Sequence, residues 1–189
     1  MIEDLLRPPR TAAELIADLI RVAGALSVVV AVLWWTPTDA GILAFTLPAL
    51  LLPRILVLRA GLDLAYGVTL LAAAWSNVLD LHRTLPWWDV PAHLVCTALI
   101  ALVVTAALER GDVVPFSPDR ARRRIIVVPT IGLAAGALRE MVEWFGKTFI
   151  SDAIHVTYDD TIGDLAVGGL GALAAGTLFA RARLVRVAS

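Results

Sequence analysis

Long apolar stretches, broken by short polar ones, run through most of the 189 residues. A helix rises about 1.5 Å per residue, so about 20 apolar residues cross the ~30 Å hydrocarbon layer of a bilayer. On that basis the pattern predicts spans over about 22–35, 40–57, 62–79, 91–108, 125–145 and 160–179. Thr11 and Glu14 have capping-box spacing just after Pro8 and Pro9, which predicts a helix start near Thr11. Its first turns, residues 11–21 with Glu14, Asp18 and Arg21, read as an amphipathic segment on the membrane surface. Pro48 and Pro53 are expected to kink or shorten the second span. Trp34, Trp35, Trp87, Trp88 and Trp144 fall near predicted ends, as interfacial aromatics do. A proline-containing loop, 111–119, joins the fourth and fifth spans. The expected fold class is therefore all-α: a polytopic transmembrane bundle of about six helices, forming one integral membrane domain over 1–189.

Composition supports this and narrows it. Hydrophobic residues make up 59% of the chain and charged ones 17%, with mean hydropathy +0.79; ordinary globular chains carry about 25% charged residues. One cysteine, Cys96, excludes an internal disulfide and any zinc site built from several thiolates. The N-terminus, MIEDLLRPPR, mixes acids with basics and lacks a cleavable signal pattern, so it is expected to stay on the mature chain. The net charge of −1 says less than where the charges sit. With the N-terminus placed in the cytoplasm, 13 of the 16 Lys and Arg fall inside, Arg83 and Lys147 fall outside, and Arg139 lies within the fifth span. The positive-inside rule then predicts both termini in the cytoplasm. The basic residues are read as this topology signal, and no nucleic-acid partner is expected.

The acids have the opposite bias. Nine of the 17 fall in the outer half, most of them at the outer ends of spans four to six. Three short stretches carry them: Asp89 with His93 at i,i+4, Glu140 with Glu143 at i,i+3, and Asp160 with Asp164 at i,i+4. Each spacing puts both side chains on one helix face. Asp160 and Asp164 continue into Gly168, Ala172 and Gly176, while Gly132 and Gly136 lead into Glu140 and, further on, Trp144. Small residues mark close helix contact in membranes, so the acids are expected to face the bundle interior. Clustered carboxylates need neutralising by a cation, by protons, or by Arg139 and Lys147.

Carboxylates and an imidazole on facing helices are the components of bundle-core metal sites. Such a donor set suits zinc, manganese, iron or magnesium better than a soft metal. The expected ligands are Asp89, His93, Glu140, Glu143, Asp160 and Asp164. Cys96, one turn inward from His93, and His155, in the loop before the last span, are further candidates. Plainer roles stay open beside these. Asp89 and Asp160 suit helix caps. Asp152 and Asp159 suit solvated loops, and Cys96 suits packing. Glu140 or Glu143 can pair with Arg139 or Lys147, and His93 can be a hydrogen-bonded core residue. Asp164, a full turn inside its span on the small-residue face, is the hardest to assign a plain role.

These motifs resemble the YjdF-type family of bacterial inner-membrane proteins, itself distantly similar to VanZ-like proteins. The matching segments are WWDVPAH with Asp89 and His93, LREMVEW with Glu140, Glu143 and Trp144, and YDDTIGD with Asp160 and Asp164. The resemblance runs from Trp87 to Gly176. It departs from the family pattern at Leu94 and Gly163, where the family more often has aromatics. It implies a multi-pass protein of the bacterial cytoplasmic membrane and, through the VanZ-like relatives, work on the cell envelope. It carries no settled activity.

The expectation from residues and resemblance together is a cation-binding site at the outer face, with the lipid bilayer as partner. Such a site suits a metal-dependent enzyme on lipid or lipid-linked head groups. Two alternatives belong to other classes. A non-catalytic accessory or scaffold protein would use the acids only to hold helices. A proton-coupled transporter would use them as a relay, but the inner halves of the spans carry few polar groups.

Overall fold

The computed structural model of the chain describes residues 5–85, 87–113, 120–150, 154 and 156–186. Seven helices are defined among them: α1 (Ala12–Trp34), α2 (Pro37–Ile55), α3 (Ala60–Val78), the short α4 (Leu81–Thr84), α5 (Asp89–Arg110), α6 (Arg120–Phe149) and α7 (Tyr158–Leu178). Among the described residues there is no strand, only an isolated bridge between Leu58 and Val185. Five helices, α1, α2, α5, α6 and α7, are long and apolar enough to cross a membrane. The sixth expected span, α3, has 19 residues, carries Asp63, Tyr66, Ser76 and Asn77, and is not among these five.

Helix ends follow local chemistry. The Thr11 hydroxyl caps α1 by accepting from the Glu14 backbone N–H, as expected, and the Glu14 carboxylate reaches back to the Arg10 N–H. Thr36 and Asp39 complete a capping box on α2. That helix continues through Pro48 and Pro53 and stops at Ile55. α5 begins at Asp89 itself. Asp160 does not cap α7: Thr157 does, its hydroxyl accepting from the Asp160 N–H. Asp159 is exposed, but on the first turn of α7 rather than in a loop. Asp152, His155 and residues 114–119 lie outside the described residues.

Two compact units emerge, one built from the chain up to Trp88 plus the segment from Arg183, the other from Asp89–Ala182. In the first, α1, α2 and α3 pack around Ala31, Ala40, Leu43 and Ala74. Further along, α1 turns its charges inward and its apolar side out: Glu14 is 1% exposed, whereas Leu15, Ile16 and Leu19 are about half exposed or more. The buried charges are paired, as they must be away from water. Arg21 bridges Asp18 and Asp63, Arg54 meets Asp18, and Arg186 pairs with Glu14. The segment ending at Arg186 is held by backbone bonds from the Arg59 N–H to the Leu184 carbonyl (2.9 Å) and from the Arg186 N–H to the Val57 carbonyl (3.0 Å). Residues 11–21 thus form the start of one continuous helix whose polar side has partners within the protein.

In the second unit, α5, α6 and α7 run alternately up and down, so that the start of α5, the end of α6 and the start of α7 share one end. Small residues set their spacing. A Cβ on Gly171 would lie 2.1 Å from the Leu94 carbonyl oxygen, and one on Gly132 would lie 2.3 Å from the Ala172 Cβ. Gly168 faces Thr97, and Gly176 faces the Arg124 backbone. The predicted small-residue stripes are therefore contact faces, as membrane helices require. Trp144 departs from its predicted stripe and is 56% exposed. At the other end Arg124, fully buried, donates to both Glu109 oxygens (2.8 and 2.7 Å) and to the carbonyls of Phe179 (2.9 Å) and Ala182. One guanidinium thereby neutralises an acid and caps the end of α7.

Gly171→Ala is expected to push α5 and α7 apart and to lower stability in detergent by about 1–3 kcal/mol, the usual penalty of overpacking. Thermal unfolding followed by circular dichroism measures this. Gly163→Ala, where a Cβ meets nothing within 4 Å, is the control and should leave the midpoint level or slightly raised.

Candidate cation site

Three helices bring the acidic residues to one end of the second unit. The first turns of α5 carry Asp89 and His93 at i,i+4, the last turns of α6 carry Arg139, Glu140 and Glu143, and the first turns of α7 carry Asp160, Thr161 and Asp164. The tight α5–α7 approach at Leu94 and Gly171 lies next along α5 to His93. It brings carboxylates on different helices together.

The centre is a group of three acids. Carboxylate oxygens of Asp89, Asp160 and Asp164 lie within 4.8 Å of one another. His93, 8% exposed, places Nε2 3.1 Å from Asp89 Oδ1 and 3.3 Å from Asp164 Oδ2. Beside them lies Arg139, whose guanidinium donates to Asp164 Oδ2 at 2.6 Å and also to Glu140 and Glu143. Thr161 Oγ1 donates to the other Glu140 oxygen at 2.7 Å. The six residues singled out in the sequence thus converge, but in two sets. Asp89, His93, Asp160 and Asp164 form one. Glu140 and Glu143, held by Arg139, form the other. Lys147 turns away to the Val156 carbonyl at 2.7 Å, and Cys96, half-buried, stands outside the carboxylate group.

Carboxylates dominate this end among the described residues: Arg139 pairs with Glu140, Glu143 and Asp164, and Asp89 and Asp160 converge on Asp164. Carboxylates this close repel unless a proton or a cation lies between them. The donor set also fits a hard divalent ion. Metal bonds to carboxylate and imidazole are about 2.0–2.2 Å, so opposite ligands stand about 4.2 Å apart. Small rotations of Asp89, Asp160 and Asp164 would close that distance around one centre, with His93 Nε2 already on the same side.

Comparison with known proteins now has a geometry to attach to. A family model described as a predicted membrane protein (DUF2238) matches residues 19–184. The chain belongs to this family. The match is consistent with the YjdF-type resemblance of the motifs and extends it, taking in α1 from residue 19, α2 and α3 as well as the segment from Trp87 to Gly176. No curated protein matches the chain, and no solved structure does. Family membership makes the chain a membrane protein with several apolar helices that embed in a lipid bilayer.

The sequence missed Thr161. It sits three residues before Asp164, on the same helix face, and the 3.6-residue period applied backwards from Asp164 finds it. The role of Arg139 was one of several left open, because spacing alone cannot show that one guanidinium reaches three acids on two helices.

Arg139→Gln is expected to destabilise the fold by about 1–3 kcal/mol. That is less than the ~3–5 kcal/mol of a fully buried pair, because the Arg139 side chain is 35% exposed. Adding millimolar Mn2+ should recover more of the thermal midpoint in the variant than in the parent, since the cation replaces the lost charge. Equal recovery in both would show that the acids do not share a cation-accessible space.

Proposed function

We propose that this family member is a multi-pass protein of the bacterial cytoplasmic membrane that holds a divalent cation in a polar site at the outer face. Asp89, Asp160 and Asp164 would supply oxygens, and His93 a nitrogen. The observation that carries this reading is the convergence of three carboxylates from α5 and α7 within 4.8 Å, flanked by a buried imidazole. The ion pairs of Arg139 account for Glu140, Glu143 and Asp164, and the convergence of Asp89 and Asp160 on Asp164 comes in addition to them. The placement at the outer face rests on charge. Arg122, Arg123 and Arg124 lie at the opposite end of the same unit, and basic ends stay in the cytoplasm. A 22-residue helix such as α5 is about 33 Å long, enough to put its ends on opposite faces of the bilayer.

A hard cation there would polarise a phosphoryl or carbonyl oxygen, or lower the pKa of a bound water. The substrate class that reaches such a place is a lipid or lipid-linked head group of the cell envelope. Glu140 and Glu143, outside the ligand set, are then the groups available to take up a proton. A second reading is favoured by one observation. The Arg139 guanidinium ties α6 to α7 through Glu140, Glu143 and Asp164, and this is what a purely architectural cluster in an accessory protein would also do.

Elemental mass spectrometry on protein purified without chelator separates the two. The cation reading expects about one divalent ion per chain in the parent. Asp164→Asn and His93→Ala should lose it while remaining folded. An absence of zinc, manganese, iron and magnesium from the parent, before and after adding each ion, would leave the architectural reading standing.

A further inference from the structure

The start of α1, the turn between α2 and α3 and the last described segment of the chain meet at one place in the first unit. Glu14 links two of them: one carboxylate oxygen accepts from the Arg10 N–H at 3.1 Å, and the other is held by the Arg186 guanidinium. The Arg186 N–H in turn donates to the Val57 carbonyl at 3.0 Å, and the Arg59 N–H donates to the Leu184 carbonyl at 2.9 Å. Three separate segments thereby carry Arg10, Arg59 and Arg183 to one neighbourhood, and all three residues are exposed. The acids there are already engaged, since Arg21, Arg54 and Arg186 hold Glu14, Asp18 and Asp63. The three exposed arginines stand outside those pairs. Residues 1–21, 54–63 and 183–189 together carry seven arginines against five acids, Glu3 and Asp4 included. Leu6, Leu15 and Leu19, also exposed, come from the same stretch of chain as Arg10.

We propose that this surface binds an anionic phospholipid of the cytoplasmic leaflet. Arg10, Arg59 and Arg183 meet the oxygens of its phosphate, and its acyl chains lie along Leu6, Leu15 and Leu19. Two properties select that ligand. Surplus guanidinium groups call for an anion, and the planar fork of donors on each suits phosphate. Exposed leucines beside them call for an alkyl chain, which a free phosphate lacks; apolar burial and attraction to anionic head groups act together at a membrane surface. The positive-inside rule puts this basic end on the cytoplasmic side. The lipid surface and the cation site stand or fall separately, because they use different residues in different units.

Native mass spectrometry of the full chain, released from neutral detergent, tests it. The probes are phosphatidylglycerol and phosphatidylcholine with identical acyl chains, and inorganic phosphate. Phosphatidylglycerol is expected to bind the parent at least about tenfold more tightly than phosphatidylcholine. Arg59→Gln and Arg183→Gln should each weaken it about fivefold, the share of one basic residue at an anionic surface, with a thermal midpoint close to the parent's. Arg10→Gln should do the same, and it keeps the test decisive if either of the others does not fold. Arg110→Gln and Arg122→Gln, which remove the same charge from the second unit, should leave the affinity unchanged. Inorganic phosphate at the concentration of the lipid should not displace it. Equal binding of the two lipids, or equal weakening whichever unit loses its arginines, overturns the proposal and leaves these residues as a topology signal. Displacement by inorganic phosphate also overturns it, because the surface then takes a bare anion and not a lipid.

Discussion

At Gly171 the backbone of α7 comes so close to α5 that no side chain fits between them: a Cβ there would fall 2.1 Å from the Leu94 carbonyl oxygen. Much of the second unit follows from that contact. Helices with ordinary side chains pack 8–10 Å apart, and a glycine lets them come nearer. The close approach brings Asp89 and His93 on one helix against Asp164 on the other. With Gly132 against Ala172, it also draws in α6 and with it Arg139. In a bilayer, apolar helices gain little from the hydrophobic effect on meeting one another, so small-residue contact and polar pairing hold them.

Polar pairing is placed at both ends of that unit with different balance. At one end Arg124 and Glu109 form a forked pair, and the remaining guanidinium hydrogens cap α7. Charge is matched there, and the pair reads as architecture. At the other end, among the described residues, carboxylates outnumber guanidinium groups. Repulsion of that kind costs stability in any fold that has no use for it. The contrast between a balanced end and an unbalanced one is what separates structure from candidate function here. The ion network of the first unit, with Glu14, Asp18 and Asp63 met by Arg21, Arg54 and Arg186, belongs with the balanced kind.

Much of this was legible in the sequence, because membrane helices write their length and facing directly into apolar runs and small-residue spacing. Five of the six spans, the i,i+4 acids and the glycine stripes all reappear as elements or contact faces. Long-range pairing was not legible. Glu14 and Arg186 stand 172 positions apart, and no local pattern says that the last described residue of the chain neutralises an acid on the first helix. For the same reason residues 11–21 read as a surface segment by sequence, because Glu14 finds its partner, Arg186, at the far end of the chain. At the site, spacing placed each pair of acids on a face. It did not divide six residues into a triad with His93 and a pair held by Arg139, because that division depends on side-chain reach between helices.

The central claim is that a cation sits among Asp89, Asp160 and Asp164 with His93 as its nitrogen ligand, and pulsed electron paramagnetic resonance of added Mn2+ addresses it most directly. The account predicts 14N modulation from a directly bound imidazole in the parent protein. It predicts loss of that modulation in His93→Gln, where Mn2+ keeps its carboxylate oxygens. Mn2+ that shows only the proton couplings of its hydration shell, with no nitrogen coupling in the parent, would contradict it. The acidic end would then be a packing device held by Arg139.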